Sequence, residues 1–99
     1  MLYTNLNLQD LSNRAETELH RINHEIACQS RELRTKHGLF AKDIAALSGG
    51  LMSAEKCERI ELERIRIIQL EQIIALGLLL KCHTKIIFEP MDSSQPTSV

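Results

Sequence analysis

Aromatic residues are scarce: Tyr3, Phe40 and Phe88 make up the whole set, 3% of the chain. Proteins that grip single-stranded nucleic acid stack bases on aromatic platforms, and this chain has too few to build them. Glycine is also rare, and no GxGxxG or Walker loop cradles a phosphate. GxSxG and HExxH are missing as well, so no motif marks an enzyme. The three cysteines, Cys28, Cys57 and Cys82, lie far apart and fit neither a disulfide framework nor a CxxC metal knuckle. They fit a reducing compartment.

No long apolar run is present. The densest, Ile73 to Leu80, falls far short of the ~20 residues that span a bilayer. The beginning, MLYTNLNLQD, has neither the basic region nor the apolar run of a secretory signal. The expectation is a cytoplasmic protein with no membrane partner and no cofactor. Excess charge of one sign is absent too. The net charge is -1, so the chain is no general nucleic-acid coat, and DNA binding would need an uneven distribution of charge. Arg31, Arg34 and Lys36 form one local basic cluster, and Arg59, Arg64 and Arg66 another that is interleaved with acids.

What is present is helical periodicity. Leu8, Leu11, Ala15, Leu19, Ile22, Ile26 and Leu33 fall within an arc of about 80° on a helical wheel. They predict a helix from Asn7 or Asp10 to Lys36, with a break near Ser30 as an option. So narrow a stripe resembles a coiled-coil seam, and packs either on its own domain or on a second subunit. Gly38 reads as a left-handed C-cap. Ala41 to Ser48 predicts a short second helix with Ile44, Ala45 and Leu47 or Ser48 inward, and Gly49-Gly50 breaks it. Ser53 can N-cap a third helix whose buried face is Cys57 and Ile60. Ile67, Leu70, Ile73, Ile74 and Leu76 predict a fourth.

After Lys81 the period changes. Thr84 to Glu89 is β-branched and is stopped by Pro90, so it reads as a strand. A single strand needs a partner, and the same strand of a second subunit would serve. The polar, Pro/Ser-rich tail from Met91 predicts disorder.

The run from Glu32 to Glu61 has the punctuation of a helix-turn-helix. Glu32-Leu33-Arg34, Gly38-Leu39, Asp43-Ile44-Ala45, Ser48-Gly49, and Ser53 with Cys57, Arg59, Ile60 and Glu61 resemble the Xre family of lambda-repressor-like domains. The strand near Lys85 to Pro90 resembles that of HipB-type antitoxins, which pairs across the dimer. The resemblance implies a mainly α, lambda-repressor-like helical bundle with a helix-turn-helix, a long N-terminal helix and one short C-terminal strand. It divides the chain into an N-terminal helical extension (1–25), a helix-turn-helix domain (26–81), a dimerisation strand (82–90) and a tail (91–99).

It also implies a homodimeric repressor of transcription on double-stranded DNA, with a cognate toxin as a further protein partner. Ser53, Ala54, Glu55, Lys56 and Arg59 would occupy the groove-facing positions, and Arg34, Lys36 and Lys42 would lie near phosphates. The sequence departs from the family at Phe40 and Ala41, where a Thr cap and a phosphate-binding Gln are usual. The turn is about two residues longer, with Gly50 and Leu51 the surplus. The usual turn chemistry after the third helix is missing. Glu55 and Glu58 put negative charge where phosphates would come. These departures keep an alternative open: a protein-interaction module on a helix-turn-helix that no longer binds DNA.

His20, His24 and Cys28 recur every fourth residue behind Glu16, a spacing that could share a zinc ion. They lie opposite the apolar stripe, which reads as a solvated helix face.

Overall fold

In a computed structural model, residues 7–91 are described, and they form a mainly helical chain of four helices: α1 (Leu8–Lys36), α2 (Ala41–Leu47), α3 (Ala54–Glu61) and α4 (Leu70–Leu79). The expected tail from 92 onward lies outside the described residues. Among the described residues no helix is long and apolar enough to cross a membrane.

α1 starts where the Asn7 side chain accepts from the Asp10 N–H at 2.7 Å, which satisfies one of the helix's orphan donors. It runs through Ser30 without a break. At its far end Gly38 takes φ +68°, with Leu39 N–H donating to the Arg34 carbonyl and Gly38 N–H to that of Thr35. This is a Schellman closure, and its left-handed residue is the glycine that the sequence points to.

The same closure recurs twice without glycine. Glu63 (φ 57°) ends α3 and Lys81 (φ 67°) ends α4, with Arg64 N–H donating to the Arg59 carbonyl and Cys82 N–H to that of Gly77. The turn after α3, where the family's usual turn residues are missing, is thus closed on a residue that pays a conformational penalty.

α2 has no side-chain N-cap, since Phe40 carries no acceptor. Its first turn is secured from the other direction, by the Asp43 carboxylate accepting from the Phe40 N–H at 2.8 Å. Ser48 then organises the turn that follows. Its hydroxyl accepts from Met52 N–H at 3.0 Å and sits 2.8 Å from the Ala45 carbonyl it donates to. Gly49 and Gly50 both adopt positive φ (64° and 98°), so the double glycine is a backbone requirement. The extra length of the turn delivers Met52 into the core, where it is 1% exposed. Ser53 caps α3 by accepting from Lys56 N–H at 3.0 Å.

Ile44, Met52, Cys57, Ile60, Leu76 and Leu80 form the core, with Ile26, Leu33 and Leu39 packed at its edge. α3 packs against both α1 and α2, and α2 also meets α4. Gly77, inside α4, lets the chain fold back closely: a Cβ there would lie 3.3 Å from the Thr84 hydroxyl.

The apolar stripe of α1 reaches this core only through Ile26 and Leu33, at its edge. The buried residues of α1 are Asn23, Ala27 and Ser30. Asn23 is satisfied there by donating to the Arg66 carbonyl at 2.8 Å. Leu8, Leu11 and Ile22 of the stripe are exposed. A helix of this length spans about 43 Å, and it sets the long axis of a body of 49 × 24 × 19 Å.

Among the described residues no strand forms. Thr84 to Glu89 has neither helix nor strand structure, and no backbone–backbone hydrogen bond ties it down. The strand expected from this segment is therefore not formed in the single chain.

Three outcomes follow from these packing arguments. Replacing Lys81 with Gly relieves a left-handed backbone and should raise stability by roughly 0.5–1 kcal/mol in urea denaturation. Cys57 is buried, and burial first, then the Glu61 carboxylate, pushes its thiol up. The folded state therefore favours the neutral thiol. Its contribution is complete below the ordinary thiol range of ~8.5 and is lost as pH rises beyond it through the raised folded-state value. Denaturation midpoints should fall on the alkaline side in the parent more than in Cys57→Ala. Iodoacetamide at neutral pH should alkylate exposed Cys28 and spare Cys57 until the protein unfolds.

Candidate nucleic-acid interface

α3 is short, eight residues, and strongly two-sided. Cys57, Ile60 and Glu61 are buried, while Glu55, Glu58 and Arg59 face solvent. Spacings of three and four residues produce this division: one face anchors the helix and the other is presented outward. Glu55 lies in the first turn and Arg59 in the last, each matched in sign to the helix dipole.

The strongest interaction at the site lies beneath α3. Arg34, in the last turn of α1, holds the Glu61 carboxylate with both ends of its guanidinium, Nε to Oε2 at 2.7 Å and Nη2 to Oε1 at 2.9 Å. Its remaining nitrogen, Nη1, donates to the Leu39 carbonyl at 2.8 Å. The side chains are 20% and 10% exposed, so this pair is shielded from water. The hydrogen-bonded carboxylate holds the Arg34 guanidinium above its usual range. Arg31 adds a bond from Nη2 to the Glu61 backbone carbonyl at 2.6 Å.

Arg34 is thus spent inside the fold and is not placed to meet a phosphate; the expectation for this residue is corrected. Sequence reasoning missed Glu61 as its partner because the two stand far apart in the chain.

The other expected site residues are spread over the surface of the α1 end, α2 and α3. Lys36 ends α1 and is exposed; Lys42 is exposed on α2. Ser53 is exposed, but its hydroxyl is engaged as the α3 cap. Ala54 and Lys56 are half-buried, Glu55 and Arg59 exposed. Among the described residues none of Lys36, Lys42, Lys56 and Arg59 takes part in an ion pair. Glu55 and Glu58 are equally unpaired. The outer side of α3 therefore carries two free cations and two free anions.

The histidine face of α1 behaves differently from a metal site. His24 Nδ1 lies 2.8 Å from Glu63, and its Nε2 lies 3.5 Å from the Cys28 sulfur. His20 turns to Glu16 at 3.6 Å, and Glu16 is held by Arg66 at 2.6 Å. Among the described residues no cluster of three His, Cys, Asp or Glu side chains is arranged to hold a metal ion. These contacts tether α1 to the loop between α3 and α4.

Comparison with known proteins leaves this geometry standing alone: no protein-family model, curated protein or solved structure matches the chain.

Proposed function

We propose that the chain is a double-stranded DNA-binding repressor that acts as a dimer and reads its operator with α3. One observation carries this reading. α2 and α3 are joined by a turn whose two positive-φ positions are both glycine, and their buried anchors, Ile44, Met52, Cys57 and Ile60, leave the opposite side of α3 in solvent. A short helix held from behind and bare in front is what entry into a major groove requires. Arg59 is the reader best suited to a guanine edge, and Glu55 or Glu58 can accept from cytosine N4. Lys36, Lys42 and Lys56 supply the phosphate contacts. The dimer is favoured by the unpaired, β-branched segment Thr84 to Glu89, where Ile86, Ile87 and Phe88 are exposed. An antitoxin role with a toxin partner rests on the resemblance of sequence alone.

A second reading is favoured by Phe40, which is 66% exposed at the head of α2 and offers no contact to phosphate. With the unpaired Glu55 and Glu58 it suits a protein-interaction module better than a DNA surface.

Fluorescence anisotropy with the DNA upstream of the gene separates the two. A repressor dimer with three phosphate-facing lysines per subunit should lose affinity with a log–log salt slope of about −5. Arg59→Glu should abolish the preference for the specific sequence. The absence of binding at low salt, or unchanged affinity in Arg59→Glu, would favour the interaction module.

A further inference from the structure

The N-terminal part of the apolar stripe of α1 has no occupant among the described residues, where Leu8, Leu11 and Ile22 are exposed. The stripe lies about a quarter turn around the helix from the face that packs on the body, as the wheel positions of Leu19 and Ile22 against those of Asn23 and Ala27 require. Its C-terminal part, Ile26 and Leu33, forms one wall of an apolar groove of about 530 Å³, whose other wall is Leu70, Ile73 and Leu76. Its N-terminal part, with Leu8, Leu11, Ala15 and Ile22 exposed, extends along α1 away from α3. A continuous line of exposed leucine and isoleucine on one helix marks an interface.

We propose that this seam is covered by the α1 helix of a second copy, running antiparallel and centred on Ala15. The spacing of the stripe is its own complement. With Ala15 against Ala15, Leu11 of one copy meets Leu19 of the other, and Leu8 meets Ile22. The small residue sits at the crossing, where two helices come closest, and the large ones fill the layers on either side.

Charge selects the same direction. The side of the stripe away from the body carries Arg14, Glu18 and Glu25. Antiparallel helices bring like sides together, so Arg14 of each copy faces Glu18 of the other. Glu18 is exposed and holds Arg21 at 3.0 Å within its own chain, and Arg14 has no ion pair among the described residues. A parallel pair would instead set Glu18 beside the side of the other helix that carries Glu16, where Arg66 already holds the carboxylate.

The antiparallel direction also keeps the two bodies apart. Each packs on α1 from Glu16 onward, and the two therefore sit at opposite ends of the paired helices. The seam is shorter than an interface of the standard ~800 Å² per partner, so it gives reversible, concentration-dependent association. The inference rests on α1 alone and is independent of DNA binding.

Cysteine crosslinking tests it. In a background where Cys28 and Cys82 are replaced by Ser, Ala15→Cys should form covalent dimers under mild oxidation well above the rate of an exposed control, Thr35→Cys. Leu8→Cys alone should not, whereas Leu8→Cys mixed with Ile22→Cys should. Efficient self-crosslinking at Leu8 and Ile22 as well as Ala15 would show parallel pairing and overturn the proposal. Crosslinking of Ala15→Cys at the control rate would overturn it too. As a second readout, Leu19→Glu should lower the mass seen by light scattering with its circular dichroism unchanged. An unchanged mass in that variant would also count against the seam.

Discussion

The pairing of Arg34 with Glu61 is the interaction on which the rest of the structure depends. One guanidinium bridges three parts of the chain: the end of α1 that carries it, the Leu39 carbonyl in the approach to α2, and the last residue of α3. Both side chains are largely withdrawn from water, where the Coulomb attraction is stronger and an unmatched charge is costly. The geometry repays desolvation by leaving few donors idle: Arg34 uses three nitrogens, and Arg31 satisfies the Glu61 backbone carbonyl. Two short helices with little intrinsic stability are thereby fixed to a long one.

That constraint shapes the surface as well. Since Glu61 is consumed below, the outer side of α3 is left with Glu55, Glu58, Lys56 and Arg59, in charge balance. A balanced helix gains little from non-specific attraction to phosphate, and its choice of partner must come from contacts made at particular atoms. The lysines at the end of α1 and on α2 then matter more than their number suggests. The same economy holds on the other side of the molecule. Asn23, Ala27 and Ser30 form the buried face of α1, while Leu8, Leu11 and Ile22 of the apolar stripe stay exposed.

Much of this was legible in the residues. Gly38, the Gly49-Gly50 pair, and Ser53 announced the turns, and Ile44, Cys57 and Ile60 announced the buried faces, because each answers a local requirement of backbone or period. The exceptions share a cause. The closures at Glu63 and Lys81 carried no glycine signal, since tertiary packing overrides the local penalty. The inward role of Arg34 depended on a residue distant in sequence, and a basic side chain beside a turn reads just as well as a phosphate contact. Met52, just after the surplus Gly50 and Leu51, became core because the turn is shaped by Ser48 and two glycines. The packed face of α1 was hidden because it carries Asn23, Ala27 and Ser30, with Asn23 satisfied by a backbone carbonyl, and the periodicity of large apolar residues cannot register such a face.

The most direct measurement of the central constraint is a double-mutant cycle on Arg34→Met and Glu61→Leu, read by urea denaturation. Each single variant leaves a buried charge without its partner and should cost about 3 kcal/mol or more. The double variant, with both charges removed, should recover most of that loss, giving a coupling energy of roughly 2 kcal/mol or more. Additive single losses, or a double variant as unstable as their sum, would contradict the account and show that the fold does not hang on this pair.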